Sequence, residues 1–505
     1  MSDSSAETPI SSGAHRQSGA GPLILLGVLM AALVVAGTPW GVGMTPDSMA
    51  YAAAAQALVD TLDFLALPPK WPPLLPLLLA AATAISDDVL VGGRWINALA
   101  GACNLALAAY LLRRCGAGAI AACCLALLLA VQPGFLHMHL VLWSEPMFLA
   151  FALLDVVALE RVLSRPGDAR WRALLVVACA GAMLTRYAGV FLLLLNAAAL
   201  LLHDGEGTRV ARLRVLLLTS VLPLLPFLAW LAFNASRGAG SLGRSLAWHP
   251  PGPAHFADAN RVLSGWLHLP RAAGPVVVLV LLAAAIWLVR RSVRGRAERS
   301  SMPMIVALYA LAYAAFILFS ISLLDFQTPL DERILFPLLP IALAVAVACL
   351  AAIRRKWLSR VGLAMLVVAF ALNVPAGLLF WSISRSEGIG FASHSVRDMY
   401  ILRWMRQVPA NWPLLSNAPE LIALHMHRKA GMLPSRFQPN SLRPNAQHDA
   451  RLRERAGRAR LIVYFHSVKW RDYLTTPEEL NRLEGYRMIY DDADATAWIR
   501  EPAPR

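Results

Sequence analysis

Residues 71–85, WPPLLPLLLAAATAI, decide how the rest of this chain crosses a membrane. The run is apolar, but it has only about 15 residues, whereas a spanning helix needs about 20. Three prolines, Pro72, Pro73 and Pro76, stand at its start. We therefore predict a helix that lies at, or dips into, the outer membrane interface without crossing. If the run crossed, every later arginine cluster would change sides.

The composition of the 505-residue chain indicates a polytopic α-helical membrane protein. Hydrophobic residues make up 58% of it and charged residues 15%, where a soluble domain has about a quarter charged. The mean hydropathy is +0.55. Eleven apolar runs are candidate transmembrane helices, at about 22–38, 95–112, 117–135, 146–163, 173–188, 189–203, 213–233, 273–290, 303–324, 333–353 and 361–383.

The basic residues give these spans an orientation. If the N-terminus is cytoplasmic, every dense basic cluster between spans lies on the cytoplasmic side, as the positive-inside rule requires. These clusters are Arg113–Arg114, residues 161–172, residues 209–214, residues 290–299 and Arg354–Lys356. The net charge of +15 is therefore explained by loops, and we expect no nucleic-acid partner. The arginine-rich, lysine-poor chain predicts a multi-pass protein of a bacterial cytoplasmic (inner) membrane.

The sequence divides into three parts. Residues 1–21 are polar and predict a disordered cytoplasmic tail. Residues 22–385 form the transmembrane domain, with an outer loop at 39–94. Residues 386–505 alternate helical stretches with short strand-like runs such as RLIVYF, which predicts a small extracytoplasmic α/β domain with a partly parallel sheet.

Charged residues gather on the predicted outer face. Asp47 begins the first outer loop, Glu145 lies between the third and fourth spans, Arg186 ends the fifth, and Arg333 precedes the tenth. Charges near membrane depth are costly and usually mark function. Each residue alone also fits a plain interfacial anchor, because the cost is smaller at a helix end. Their joint occurrence favours a functional site.

Five stretches carry a resemblance: TPDSMAY, KWPPLLPLLLA, WSEPMFLAFALL, MLTRYAGVFLLL and ERILFPLLPIAL. In this order they resemble the membrane-embedded GT-C glycosyltransferases, in the superfamily of protein O-mannosyltransferases and lipid A aminoarabinose transferases. The resemblance covers roughly residues 20–385. It departs from the family at Ser48, because many relatives carry a second acidic residue after the position of Asp47.

The resemblance implies a polyprenyl-phosphate-sugar donor and transfer on the outer face. Asp47 would act as the general base that deprotonates the acceptor hydroxyl, and attack opposite the phosphate would invert the anomeric carbon. The leaving phosphate would be bound by basic side chains, in the order Arg333, Arg186 and Lys70. Glu145 would orient the acceptor or a donor hydroxyl. Tyr51 would hydrogen-bond Asp47 or line the sugar pocket, although an interfacial belt tyrosine is an equal alternative.

No cofactor is expected beyond the lipid-linked donor. His137 and His139 are two residues apart and should diverge on a helix, so a metal site with Glu145 is not expected. The acceptor stays open among lipids, polysaccharides and proteins. Two other classes compete with an enzyme: a transporter or lipid flippase, which should show an internal repeat, and a noncatalytic envelope-assembly protein, which would not depend on Asp47.

Overall fold

The computed structural model describes residues 20–203, 209–238, 248–296, 300–324, 328–437 and 443–501. The predicted N-terminal tail, 1–21, lies almost wholly outside them. The chain forms two compact units. The helical unit comprises Met1–Gly37 and Ala54–Ser382, and the sheet unit comprises Thr38–Ala53 and Ile383–Arg505. The domain limits drawn from the sequence stay predictions.

Leu- and Ala-rich runs form most of the helices up to residue 387. The second and the last of these helices each contain a boundary between the two units. The helices are α1 (Ala20–Gly37), α2 (Pro46–Thr61), α3 (Leu74–Ser86), α4 (Val89–Arg114), α5 (Ala119–Ala130), α6 (Pro133–Leu140), α7 (Glu145–Ser164), α8 (Ala169–Thr185), α9 (Phe191–Leu202), α10 (Arg209–Ser236), α11 (Pro253–Trp266), α12 (Gly274–Arg291), α13 (Met302–Leu323), α14 (Glu332–Leu335), α15 (Leu339–Ala351), α16 (Lys356–Ala371) and α17 (Val374–Glu387).

The polytopic prediction is confirmed, but the count of eleven spans is not. Within the described residues, seven helices are long and apolar enough to cross a membrane, or eight if the bent pair α5–α6 is one span. All eleven predicted runs overlap helices, yet several are interrupted. Pro133 begins α6 after a 60° bend from α5, and α7 carries four charged residues along its length. Helix α11, in the predicted loop 234–272, was missed.

The run that decides the topology is helical and short. Helix α3 begins at Leu74, directly after Pro72 and Pro73, and has 13 residues. Prolines favour this position because the first turn of a helix has no internal partner for its N–H groups. The length agrees with a helix that does not span. Its placement at the outer interface stays a prediction.

The sheet unit contains the predicted partly parallel sheet, with strand order β2-β1-β3-β5-β4. Strands β2, β1 and β3 are parallel, and β5 and β4 are antiparallel additions. Strand β2 was missed because it has only two residues. The remaining elements are α18 (His394–Arg397), α19 (Tyr400–Met405), β1 (Leu414–Ser416), α20 (Pro419–Met426), β2 (Gly431–Met432), α21 (His448–Arg458), β3 (Leu461–Phe465), α22 (Pro477–Asn481), β4 (Tyr486–Asp491) and β5 (Ala495–Arg500).

Candidate active site

A buried carboxylate joins two arginines in the helical unit. Glu145 is the first residue of α7, and its side chain is 1% exposed. Its Oε1 lies 2.6 Å from Nη1 of Arg186 and 2.9 Å from both Nε and Nη2 of Arg333. One carboxylate shared by two guanidiniums leaves one net positive charge. The structure thus brings together three of the residues that the sequence selected.

Two asparagines of α4 fix the turn that carries Glu145. Nδ2 of Asn97 donates to the carbonyl oxygens of His139 and Val141, at 3.0 and 2.6 Å. Nδ2 of Asn104 donates to the carbonyl oxygen of Pro146, at 2.8 Å. The two asparagines are seven residues apart and therefore share one helix face. Neither asparagine was predicted from the sequence, although two polar residues at this spacing in an apolar run indicate a polar contact on one helix face.

The short helix α14 holds Arg333. Asp331 caps it by accepting a hydrogen bond from the N–H of Ile334, at 3.1 Å, and the hydroxyl of Tyr313 donates to the carbonyl oxygen of Ile334, at 2.8 Å. The guanidinium of Arg333 lies over the ring of Trp143, 4.3 Å from its centroid. Such stacking restricts the planar group without consuming its donors. Arg333 is 28% exposed and can reach a ligand.

A polar pocket of about 520 Å³ opens beside Arg333. Burial raises the pKa of the Asp331 carboxyl, which lines this pocket. The Glu332 carboxylate packs so closely against Gly134 that a β-carbon there would collide with it. The pocket is lined by Gln132, Pro133, His137, Met138, Trp143, Arg261, Val262, Gly265, Trp266, His268, Asp331, Glu332, Arg333 and Asn373.

An apolar groove of about 530 Å³ lies on the other side of the same segment. Leu330 and Leu335 line the groove, whereas Arg333, between them in sequence, lines the polar pocket. Trp266 lines both. The rest of the groove lining comes mainly from apolar residues of α11, α12, α13 and α15. A charged group and a long hydrocarbon chain on one ligand would match this pair of cavities.

Lys70 lies on the loop between α2 and α3, outside the lining of the polar pocket. It is exposed, and its Nζ lies 5.2 Å from the centroid of the Trp71 ring. The preceding carbonyl oxygen, of Pro69, accepts a hydrogen bond from the hydroxyl of Tyr187, at 3.0 Å. Tyr187 directly follows Arg186, so the loop of Lys70 is tied to the segment that carries Arg186. In the part of the chain that the structure describes, no ion pair or hydrogen bond joins Lys70 itself to Glu145, Arg186 or Arg333.

Asp47 and Tyr51 lie in the sheet unit, in the first turns of α2. Asp47 is partly buried and Tyr51 is 2% exposed. Ser48, where the family often has a second acid, has a structural role instead. The backbone N–H of Thr45 donates to Oγ of Ser48 at 3.0 Å, and the two hydroxyls lie 2.9 Å apart. The N–H of Ser48 in turn lies 3.5 Å from Oγ1 of Thr45. Such a reciprocal arrangement is typical of a helix N-terminus.

Residues 389–391 fix the segment that leads to Asp47. The N–H of Met44 donates to the carbonyl oxygen of Ile389, at 3.2 Å, and the N–H of Phe391 donates to that of Met44, at 2.9 Å. Between them, Gly390 has a φ of +62°, and a β-carbon there would lie 2.1 Å from the Met44 carbonyl oxygen. Only glycine fits this position.

We predict that Gly390→Ala lowers both the melting temperature and the transfer activity. The left-handed conformation alone costs a side chain about 1–2 kcal/mol, and the clash breaks the bridge to Met44. Gly457→Ala is the matched control, because a β-carbon on Gly457 meets nothing within 4 Å. Thermal unfolding and turnover of both variants check this. Wild-type values for Gly390→Ala would show that the bridge is not needed.

The two histidines of α6 diverge, as predicted. His139 is fully buried, with Nδ1 2.7 Å from the carbonyl oxygen of Phe135 and Nε2 3.0 Å from Asn104. His137 lines the polar pocket and packs edge-to-face against Trp143, with 5.1 Å between ring centroids. Among the described residues, no three His, Cys, Asp or Glu side chains form a group that could hold a metal ion. Metal independence stays a prediction.

Comparison with known proteins supports the same fold. The family model of dolichyl-phosphate-mannose-protein mannosyltransferase matches residues 70–233. No curated protein matches the chain in sequence. The structure of ArnT from Cupriavidus metallidurans bound to undecaprenyl phosphate is similar, with a TM-score of 0.61, 13% identity and coverage of 95% of this chain and 98% of ArnT. The archaeal oligosaccharyltransferase AglB from Archaeoglobus fulgidus, in complex with an inhibitory peptide and a dolichol-phosphate, gives a TM-score of 0.54, 14% identity and coverage of 88% and 69%.

The solved structures establish the fold over nearly the whole chain, and the family model covers the region from the loop of Lys70 through Glu145 and Arg186 to α10. Both comparisons agree with the fold that the resemblance of the sequence motifs implies. The chain therefore has the GT-C fold of membrane glycosyltransferases of the ArnT and protein mannosyltransferase type.

Proposed function

We propose that the protein transfers a sugar from a polyprenyl-phosphate donor to an acceptor of the cell envelope, with inversion, on the outer face of the membrane. One observation carries this proposal. The segment 330–335 presents Arg333 to a polar pocket and two leucines to an apolar groove. A polyprenyl-phosphate sugar has the matching parts: a hydrocarbon chain, a phosphate and a polar sugar. ArnT and AglB were each solved with a polyprenyl or dolichol phosphate.

In this proposal the arginines stabilise the leaving phosphate. The charge on the polyprenyl phosphate grows as the glycosidic bond breaks, and a fixed guanidinium lowers the energy of that state. Arg333 makes the main contact and Arg186 supports it. For Glu145 we propose a different role from the one that the resemblance implied. Its side chain is buried under both arginines, so it positions them and does not meet the acceptor.

Asp47 is the proposed general base. A carboxylate can accept the proton of the attacking hydroxyl, and the leaving group, a phosphate, needs no acid of its own. Tyr51, one turn along α2, hydrogen-bonds Asp47 or lines the sugar pocket in this proposal. Lys70 adds a positive charge on the outer loop. No cofactor beyond the lipid-linked donor is part of the proposal. The acceptor class, whether lipid, polysaccharide or protein, is left to experiment.

The proposed setting is the cytoplasmic membrane of a bacterium, with the sheet unit outside. We predict that a reporter that works only outside the cytoplasm is active when it is fused after residue 390, whereas a reporter that works only in the cytoplasm is not. In this orientation every dense basic cluster lies on the cytoplasmic side. A fusion after residue 114 should give the opposite result and serves as the control. Cytoplasmic activity of the first fusion would reverse the orientation and exclude transfer on the outer face.

Turnover by the purified protein tests the proposal. We would incubate it in lipid vesicles with a panel of labelled polyprenyl-phosphate sugars and an envelope extract, and measure free polyprenyl phosphate and labelled product. At least one donor should be consumed in proportion to product. Consumption of nucleotide sugars alone, or movement of an intact lipid-linked sugar between leaflets without cleavage, would refute it. The second outcome would favour a flippase.

A further inference from the structure

Helix α21 carries an arginine-rich exposed face on the sheet unit. Arg451, Arg455 and Arg458 recur at intervals of four and three residues, so they lie on one side of the helix. All three are exposed. Neighbouring members are about 5–6 Å apart at their β-carbons, and the row is about 10 Å long.

The row is not neutralised by nearby carboxylates. Nη2 of Arg451 donates to the side-chain oxygen of Gln447, at 2.7 Å, and Nη1 of Arg455 donates to the carbonyl oxygen of Met432, at 2.6 Å. Arg458 pairs with Glu454, at 2.9 Å, but both side chains are strongly exposed and such pairs are weak. Within the part of the chain that the structure describes, Arg451 and Arg455 therefore keep their charge available.

The face of α21 next to the arginine row is committed to the core of the sheet unit. Leu452 and Ala456 are buried, and they pack in one cluster with Ile462 of β3 and Trp498 of β5. A helix that inserts into a membrane surface needs an exposed apolar face beside its basic one. Helix α21 has none to offer, since its apolar residues are already used. A polyanion that stays in water fits this face better than a lipid surface.

We propose that the arginine face of α21 binds an acidic glycan chain, and that this chain belongs to the acceptor. The class of ligand is a polysaccharide or oligosaccharide with carboxylate or phosphate groups on successive sugars. The arginines recur about every 5–6 Å along the helix, so that a row of anionic groups on one extended chain can meet them in turn. Arginine binds such groups by forked, charge-assisted hydrogen bonds. The assignment to an acceptor rests on the proposed function, whereas binding itself does not.

The test measures binding of the full-length protein, in detergent, to alginate as a defined acidic glycan and to dextran as a neutral one. The triple variant Arg451→Gln, Arg455→Gln, Arg458→Gln should bind alginate about tenfold more weakly, because three contacts of about 0.5 kcal/mol each add to roughly that factor. The control triple Arg403→Gln, Arg406→Gln, Arg482→Gln removes the same charge from exposed positions elsewhere on the unit and should change binding less than about twofold. Replacing the three α21 arginines by lysine should give binding between that of wild type and that of the glutamine triple, because lysine keeps the charge but loses the fork. Partial binding by this variant also guards against a folding defect.

Equal losses in the two glutamine triples would show that only net charge matters and would overturn the proposal. Binding of dextran as tight as the binding of alginate would also overturn the proposal. Loss of binding to anionic lipid vesicles with unchanged alginate binding would assign the face to a membrane surface instead. A protein that fails to turn over any lipid-linked sugar but binds alginate through α21 would separate this inference from the proposed function.

Discussion

Arg333→Ala should lower sugar transfer by about a hundredfold to a thousandfold, the loss seen when one fixed donor to a developing anion is removed. The donor should also bind more weakly, because Arg333 lines the pocket while Leu330 and Leu335 line the groove. Arg333→Lys should lose less than the alanine variant but not reach wild type. Lysine keeps the charge but cannot hold both Glu145 and a phosphate with one planar fork.

Glu145→Gln sharpens this test. The substitution removes the carboxylate that Arg186 and Arg333 share, while it keeps the size of the side chain. If Glu145 acts through Arg333, the double variant Glu145→Gln, Arg333→Ala should lose little more transfer activity than Arg333→Ala alone. Arg290→Ala, at an exposed position near the end of α12, is the control for loss of a positive charge. Wild-type donor use by both Arg333 variants would remove this residue from the site.

Asp47→Asn should lower turnover by at least about a hundredfold, which is the lower end of the usual contribution of a general base. Asparagine is nearly the same size but does not accept the proton. The expression level, the melting temperature and donor binding should stay near wild type, so that the defect appears in the rate of the chemical step. Single-turnover measurements with a labelled donor separate that step from binding.

Tyr51→Phe is the control for Asp47→Asn, because it alters the same helix by one hydroxyl. It should cost far less activity than the loss of the carboxylate. Near-normal transfer by a folded Asp47→Asn protein would contradict the base assignment. The next candidate for the general base would then be Asp331, whose carboxyl lines the polar pocket and has a pKa raised by burial.

The sequence predicted the fold class well, because the length and composition of apolar runs depend on local chemistry. The count of eleven spans is not confirmed, because proline bends and buried charges interrupt runs that look continuous in the sequence. The break at Pro133 and the charged residues of α7 show both effects.

The candidate site was predicted in part. Costly charges near the membrane surface identified Glu145, Arg186 and Arg333, and the structure brings them together. The sequence did not reveal that Glu145 is buried beneath the arginines, because burial depends on the turn that Asn97 and Asn104 fix. Nor did it connect Met44 with Gly390, which are hundreds of residues apart yet form one bridge.

We propose that a polyprenyl phosphate binds where the polar pocket meets the apolar groove. The most direct measurement is a structure of the purified protein with polyprenyl phosphate bound, in wild type and in Arg333→Ala. We expect a phosphate oxygen about 3 Å from the Arg333 guanidinium, a hydrocarbon chain along Leu330 and Leu335, and loss of the ordered phosphate in the variant. A phosphate bound away from Arg333, or bound equally well in the variant, would contradict it.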